Sequence, residues 1–224
     1  MSINYKQSIK CPKCGHMQEM NIWSSITCDD STDLKQELLE GKINIFRCED
    51  CTQVALVPAP LLYHDKDKKL LISFTPCNDN TQKLKLFEEV KKTSKESGEL
   101  KEYEDYNLSF VTVYDELLEK ILIFDNGLHD KVIEVLKVLI LTQEPEKAEL
   151  RSAVFGKNDG ENLEFLIKDS KEMQFYTSKI PLSSYETIKE QLRLSGVKYK
   201  SFDWEIIDID YGAGLLRGIN NNLV

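Results

Sequence analysis

Cys11-Pro12-Lys13-Cys14-Gly15 is answered by Cys48-Glu49-Asp50-Cys51-Thr52, two Cys-x-x-Cys pairs with 33 residues between them. Four thiolates in two such pairs match the tetrahedral preference of zinc, each pair closing a tight loop around one edge of the ion. Pro12 stiffens the first loop, and Gly15 supplies the backbone freedom that lets the chain turn back under the metal. The spacing predicts one zinc ion on Cys11, Cys14, Cys48 and Cys51. A closed shell of four sulfurs leaves no open position for water, so it holds structure together rather than running metal-assisted hydrolysis.

Outward from the cysteines, residues 1–78 read as a zinc-ribbon β module with one helix. Asn21 to Thr27 is rich in β-branched and aromatic residues and predicts a strand. Asp30 or Ser31 then caps a helix carrying Leu34, Leu38 and Leu39, which stops at Gly41. Ile43 to Arg47 predicts a strand that feeds into Cys48. Two apolar runs, Leu61–His64 and Leu70–Phe74, flank the charged turn 65–69 and predict a β-hairpin.

Residues 79–105 change character, with Lys and Glu dominant and a Ser97-Gly98 pair. Leu84, Phe87 and Val90 predict a weak helix in the first part, and the rest reads as a solvated connector. Residues 106–142 predict a strand at 108–113 and a helical hairpin, one helix from Asp115 to Gly127 and a largely apolar one over 129–142. Residues 143–224 read as a C-terminal α+β region. Its strands lie near 149–155, 162–168 and 172–179. A helix opens on the capping-box spacing Ser183 to Glu186 and ends near Gly196, and a last strand covers 201–209. The expected class is α+β.

The net charge is −9, and residues 1–78 are close to neutral, with 9 Lys/Arg against 10 Asp/Glu. That balance disfavours a general affinity for nucleic acid or anionic membrane. No apolar run approaches a bilayer span, and the N-terminus carries no apolar leader, so a cytoplasmic setting is expected. There, cysteines serve metal better than disulfides. Cys28 and Cys77 fall outside the metal spacing and read as small buried apolar residues or as a redox pair.

With these elements in place, the chain resembles the CpXC domain family, a bacterial and archaeal group named for its cysteine pairs. The resemblance runs through Cys11-Pro12-Lys13-Cys14-Gly15, Leu38-Leu39-Glu40-Gly41, Ile43-Asn44-Ile45-Phe46 and Pro60-Leu61-Leu62-Tyr63-His64-Asp65 to Phe74-Thr75-Pro76. It continues in Glu116-Leu117-Leu118-Glu119-Lys120-Ile121 and Phe124-Asp125-Asn126-Gly127-Leu128, covering roughly residues 9 to 140. It implies zinc and no reaction. The second pair departs from the pattern by lacking Pro and Gly. If Thr52 must turn left-handed, that costs about 1 kcal/mol against glycine. His129 stands where an acidic residue is expected, and residues 143–224 lie outside the resemblance.

Other candidates have plainer readings. His16 could replace a sulfur ligand, but exposure or a hydrogen bond to a cysteine explains it as well. His64 and Asp65 resemble an acid/base pair, yet neighbours on a strand point apart. Asp125 and His129 suit capping between two helices. Lys66, Lys68 and Lys69 could touch phosphate, or be a solvated turn. Gly212-x-Gly214 lacks the context and third glycine of a dinucleotide loop. No catalytic or cofactor-binding residue is assigned. The expected function is a zinc-stapled interaction or adaptor protein, with a protein partner recognised by residues 143–224 through Tyr176, Tyr185 and Trp204. The alternatives are an enzyme with a site in residues 106–224, remote from the zinc, and a nucleic-acid-binding ribbon.

Overall fold

The computed structural model describes residues 1–28, 32–143, 151–200 and 203–221. It is α+β, and the residues fall into two compact units: Met1–Leu118 with Ser201–Glu205, and Glu119–Lys200 with Ile206–Val224.

The first unit is built on a five-stranded sheet. Strands β1 (Ile3–Lys10) and β2 (Met17–Cys28) form an antiparallel hairpin. Helix α1 (Thr32–Leu39) follows, then the short antiparallel pair β3 (Ile45–Arg47) and β4 (Val54–Leu56). Strands β5 (Leu61–Asp65), β6 (Leu70–Phe74) and β7 (Asn107–Val111) complete the sheet in the order β1-β2-β5-β6-β7. The expected hairpin of 61–74 is therefore present. Alternation puts Leu61, Tyr63, Ile72 and Phe74 on the buried face, each at most 1% exposed.

Helix α1 ends as expected, with Gly41 left-handed at φ +64°; its expected caps, Asp30 and Ser31, lie outside the described residues. The strand expected over 43–47 begins only at Ile45. Asn44 turns left-handed at φ +55° and its side chain is spent on the backbone of Trp23.

The expected weak helix and connector of 79–105 is corrected to a full helix. Helix α2 (Asn80–Ser97) is capped by Asp79, whose Oδ1 accepts from the Gln82 amide at 2.7 Å, and by left-handed Gly98. A 3-10 turn, Glu99–Tyr103, leads to β7. No described residue of α2 is fully buried, so the hydrophobic signal was weak although both caps are well formed.

The unit boundary falls inside α3 (Tyr114–Asp125), which ends at left-handed Gly127. The second unit carries α4 (Asp130–Leu141), buried on almost every side, and a three-stranded antiparallel sheet of β8 (Arg151–Asn158), β9 (Asn162–Asp169) and β10 (Gln174–Pro181) in the order β10-β9-β8. Helix α5 (Leu182–Leu194) begins directly after Pro181. The expected capping box does not form: Ser183 sits inside the helix, and the first amide, that of Leu182, donates to the Glu161 carbonyl at 2.8 Å. The strand expected over 201–209 is also absent among the described residues. A single bridge, Glu205 to Ser109, takes its place, and a sixth helix, α6 (Ile209–Asn221), follows. Its glycines hid it from a propensity reading. At Gly212, α6 comes so close to α4 that a Cβ would lie 2.6–2.9 Å from Glu134.

Candidate metal centre

The first cysteine pair occupies the turn between β1 and β2, and the second the turn between β3 and β4. The two turns have the same internal hydrogen bonds. The Cys11 amide donates to the His16 carbonyl at 2.8 Å and the Gly15 amide to the Cys11 carbonyl at 3.0 Å. In the second turn the Cys48 amide donates to Gln53 at 2.9 Å and the Thr52 amide to Cys48 at 3.1 Å. The equivalence forces Thr52 to φ +60°, matching Gly15 at +79°. The local backbone is thus set by the loop, and the missing glycine is absorbed as strain.

The turns face each other. Sulfur of Cys11 lies 3.6 Å from that of Cys51, and sulfur of Cys14 lies 3.5 Å from that of Cys48. All four sulfurs are within 4.8 Å of one another and could hold a metal ion. Cys11 and Cys48 are buried on a small apolar cluster with Phe46, flanked by Ile9, Met20, Cys51 and Val57.

Four thiols so close cannot ionise independently. Burial opposes ionisation of Cys11, but amide donors of Cys14 and Lys13 outweigh it and bring the thiol down to about 6. Cys14 moves the other way, to about 12. The His16 amide favours its thiolate, while burial and the three surrounding sulfurs disfavour a further charge. Cys51 is likewise raised, with the Gln53 amide outweighed by burial and by Cys11 and Cys48. A cation among the sulfurs removes that conflict.

Two carboxamides that the sequence reading passed over join the hairpins. Gln18 on β2 donates through Nε2 to the Arg47 carbonyl at 2.9 Å and accepts from the Glu49 amide at 3.0 Å. Buried Asn44 accepts from the Trp23 amide at 2.8 Å and donates to the Trp23 carbonyl at 2.9 Å. Their only sequence signal was position, one beside each hairpin's core residues.

The remaining candidates separate. His16 is exposed and gives its backbone to the first turn. His64 and Asp65 point to opposite faces of β5. His64 Nε2 meets Tyr106 Oη at 3.3 Å, whereas buried Asp65 takes Lys35 at 2.9 Å, the Lys68 amide at 3.0 Å and Tyr63 at 3.2 Å. Burial raises the Asp65 carboxyl, and Lys35 with these donors more than reverses it. His129 caps α4 through Nδ1. Lys66, Lys68 and Lys69 are exposed on the β5–β6 turn, Lys69 paired with Asp105. Gly212 serves helix packing. Cys77 is half-buried, its sulfur 3.3 Å from the Asp79 carbonyl. Of the three aromatics expected on an interaction surface, Tyr185 and Trp204 are buried. Tyr176 is more than a third exposed, and its neighbour Phe175 more so at 63%.

The family described as CpXC protein matches residues 9–137, and the chain belongs to that family. No curated protein matches the chain, and no solved structure does. No helix among the described residues is long and apolar enough to cross a membrane.

Proposed function

We propose that this CpXC family member carries a structural zinc ion on Cys11, Cys14, Cys48 and Cys51 and works as an interaction or adaptor protein. The observation behind the reading is the spacing of the sulfurs. A zinc–sulfur bond of about 2.3 Å puts tetrahedral sulfurs about 3.8 Å apart, and the pairs Cys14–Cys48 and Cys11–Cys51 stand at 3.5 and 3.6 Å. Four thiolates fill the shell, so the ion staples two hairpins around Phe46. A reducing cytoplasm, where thiolates persist, suits that role.

The partner half of the reading rests on the three-stranded sheet. Val154 pairs with Leu166, and Phe175 pairs with Lys168, two positions further along. Alternation puts the three apolar side chains on one face, where they are 38, 45 and 63% exposed. Contiguous apolar surface of this kind is found where proteins meet. The enzyme alternative has less support: the buried charges of the second unit are engaged with one another, as in Lys137 held by Glu119 at 2.7 Å and Glu134 at 2.9 Å.

Metal analysis of freshly purified full-length protein tests the first half, with about one zinc per chain expected and Cys14→Ser lowering it. Zinc well below one equivalent would sink the staple. Crosslinking of the full chain and its Phe175→Glu variant tests the second. Partners captured equally by both, or captured only through the hairpins, would end the adaptor reading.

A further inference from the structure

The first unit contains a cleft of about 430 Å³ under α2, on the face of the sheet opposite Tyr63 and Ile72. Its floor is Leu62 and Leu71, and its far wall is Trp204. Helix α2 forms the near wall with Leu86 and Val90. The cleft exists because α2 stands off the sheet. The helix is held by Phe87 and Val90 against a small cluster of Leu71, Leu108 and Trp204, by Lys95 on Asp203 at 2.8 Å, and by Trp204 Nε1 donating to Ser94 Oγ at 2.9 Å. These contacts leave no described residue of the helix fully buried.

A cavity of this volume, largely apolar with a few polar groups converging, has the dimensions of a small-molecule site. The polar groups carry a sign. Among the described residues, hydroxyls of Ser73, Thr75 and Thr93 line the cleft beside one carboxylate, Glu89, and no lysine or arginine lines it. The chain as a whole carries −9, which adds to the attraction for a cation.

We propose that this cleft binds a small cationic amphiphile, an alkyl- or arylammonium of on the order of ten to fifteen non-hydrogen atoms. The apolar body lies between Val90 and the Leu62–Leu71 floor, against the Trp204 ring, and the ammonium meets Glu89 at the mouth. The site is separate from the sulfur cluster, and its occupation does not require the metal reading.

The test titrates the full-length protein with 4-phenylbutylammonium, 4-phenylbutanol and 5-phenylpentanoate, which share one phenylbutyl body and differ in charge. Binding is read by the emission of Trp204, one of two tryptophans, and by methyl chemical shifts of Leu62, Leu71 and Val90. The expected result is saturable binding of one ammonium per chain, roughly five- to tenfold tighter than the carboxylate, with shifts confined to those methyls. Glu89→Gln should bring the ammonium and the alcohol to equal affinity. Thr93→Phe, on the helix's solvent side of the cleft, and Ser73→Phe on its floor should each block all three. No saturable shift, a carboxylate that binds as well as the ammonium, or binding unchanged in a folded Thr93→Phe variant would overturn the proposal. The Glu89→Gln comparison decides it should the filling variants fail to fold.

Discussion

The carboxamide of Asn44 meets both backbone groups of Trp23, accepting from its N–H at 2.8 Å and donating to its C=O at 2.9 Å. The contact lies where β2 has run past the end of its other neighbour, since the parallel pairing with β5 begins only at Ser25. At Trp23 that edge of β2 would otherwise be open. Asn44 fills the gap as a strand residue would, and so sets where the second hairpin docks on the first.

Asn44→Ala should therefore destabilise the first unit by about 2 kcal/mol, from two lost hydrogen bonds and a left-handed alanine. The measurement is urea unfolding followed by Trp23 emission. Asn44→Gly, which keeps the backbone and loses the side chain, should recover only the strain. Equal stability of the alanine variant and the parent would show that Gln18 alone aligns the hairpins.

Thr52→Gly should stabilise the protein by about 1 kcal/mol, since φ +60° disfavours any residue with a Cβ. The reciprocal Gly15→Ala should destabilise by a similar amount: its Cβ would meet nothing closer than the flexible Lys10 Cε at 3.7 Å, so the cost is conformational. Thermal melts of the two variants with metal bound compare them directly.

Metal removal should act locally. The five-stranded sheet buries Ile22, Ile26, Tyr63, Phe74 and Phe110, whereas the sulfur cluster rests on Phe46 with only partly buried Ile9, Met20 and Val57 around it. Chelation should open residues 9–20 and 43–57 to protease, while the second unit stays resistant. Complete unfolding on chelation would mean that the sheet depends on the metal as well.

Glu134 gives a signed pH dependence. Burial pushes its carboxyl up to about 7, against the pull of Lys137 and helped by Glu119. Unfolded, it titrates near the ordinary 4.5. Between these values the folded protein holds a proton that the unfolded chain has released, so stability from this group is present below 4.5 and lost as pH rises through 7. Chemical denaturation at a series of pH values should show Glu134→Gln removing a decline on the order of 1–3 kcal/mol across that window. A difference between parent and variant that is flat with pH would overturn this reading of Glu134.

Gly212 and Gly214 should respond oppositely to alanine. At Gly212 a Cβ would lie 2.6 Å from the Glu134 carbonyl carbon, and at Gly214 it would meet nothing within 4 Å. Gly212→Ala should cost about 1–3 kcal/mol through displacement of α6 from α4, while Gly214→Ala should gain about 0.5–1 kcal/mol of helix propensity. Melting temperatures of the pair check both.

The amino-acid sequence by itself determined the elements whose signals are local. The Cys-x-x-Cys pairs mark two tight turns, the alternation of 61–74 marks a hairpin, and Gly41, Gly127 and Gly196 mark helix ends because left-handed backbone belongs to glycine. It misread the places where a distant group decides. Helix α2 looked weak, and its second half like a connector, because it rests on the sheet through a few half-buried side chains. The strand expected at 43–47 was shortened because Asn44 is claimed by Trp23, and the C-terminal helix was hidden by its glycines, of which Gly212 lets it approach Glu134. Tyr185 and Trp204 looked like surface aromatics until packing enclosed them. The two pairs also announced that the four sulfurs share a site, but how they meet across 33 intervening residues was decided by tertiary structure, through Asn44 on Trp23 and Gln18 on the second turn, because no short-range pattern in the chain encodes that docking.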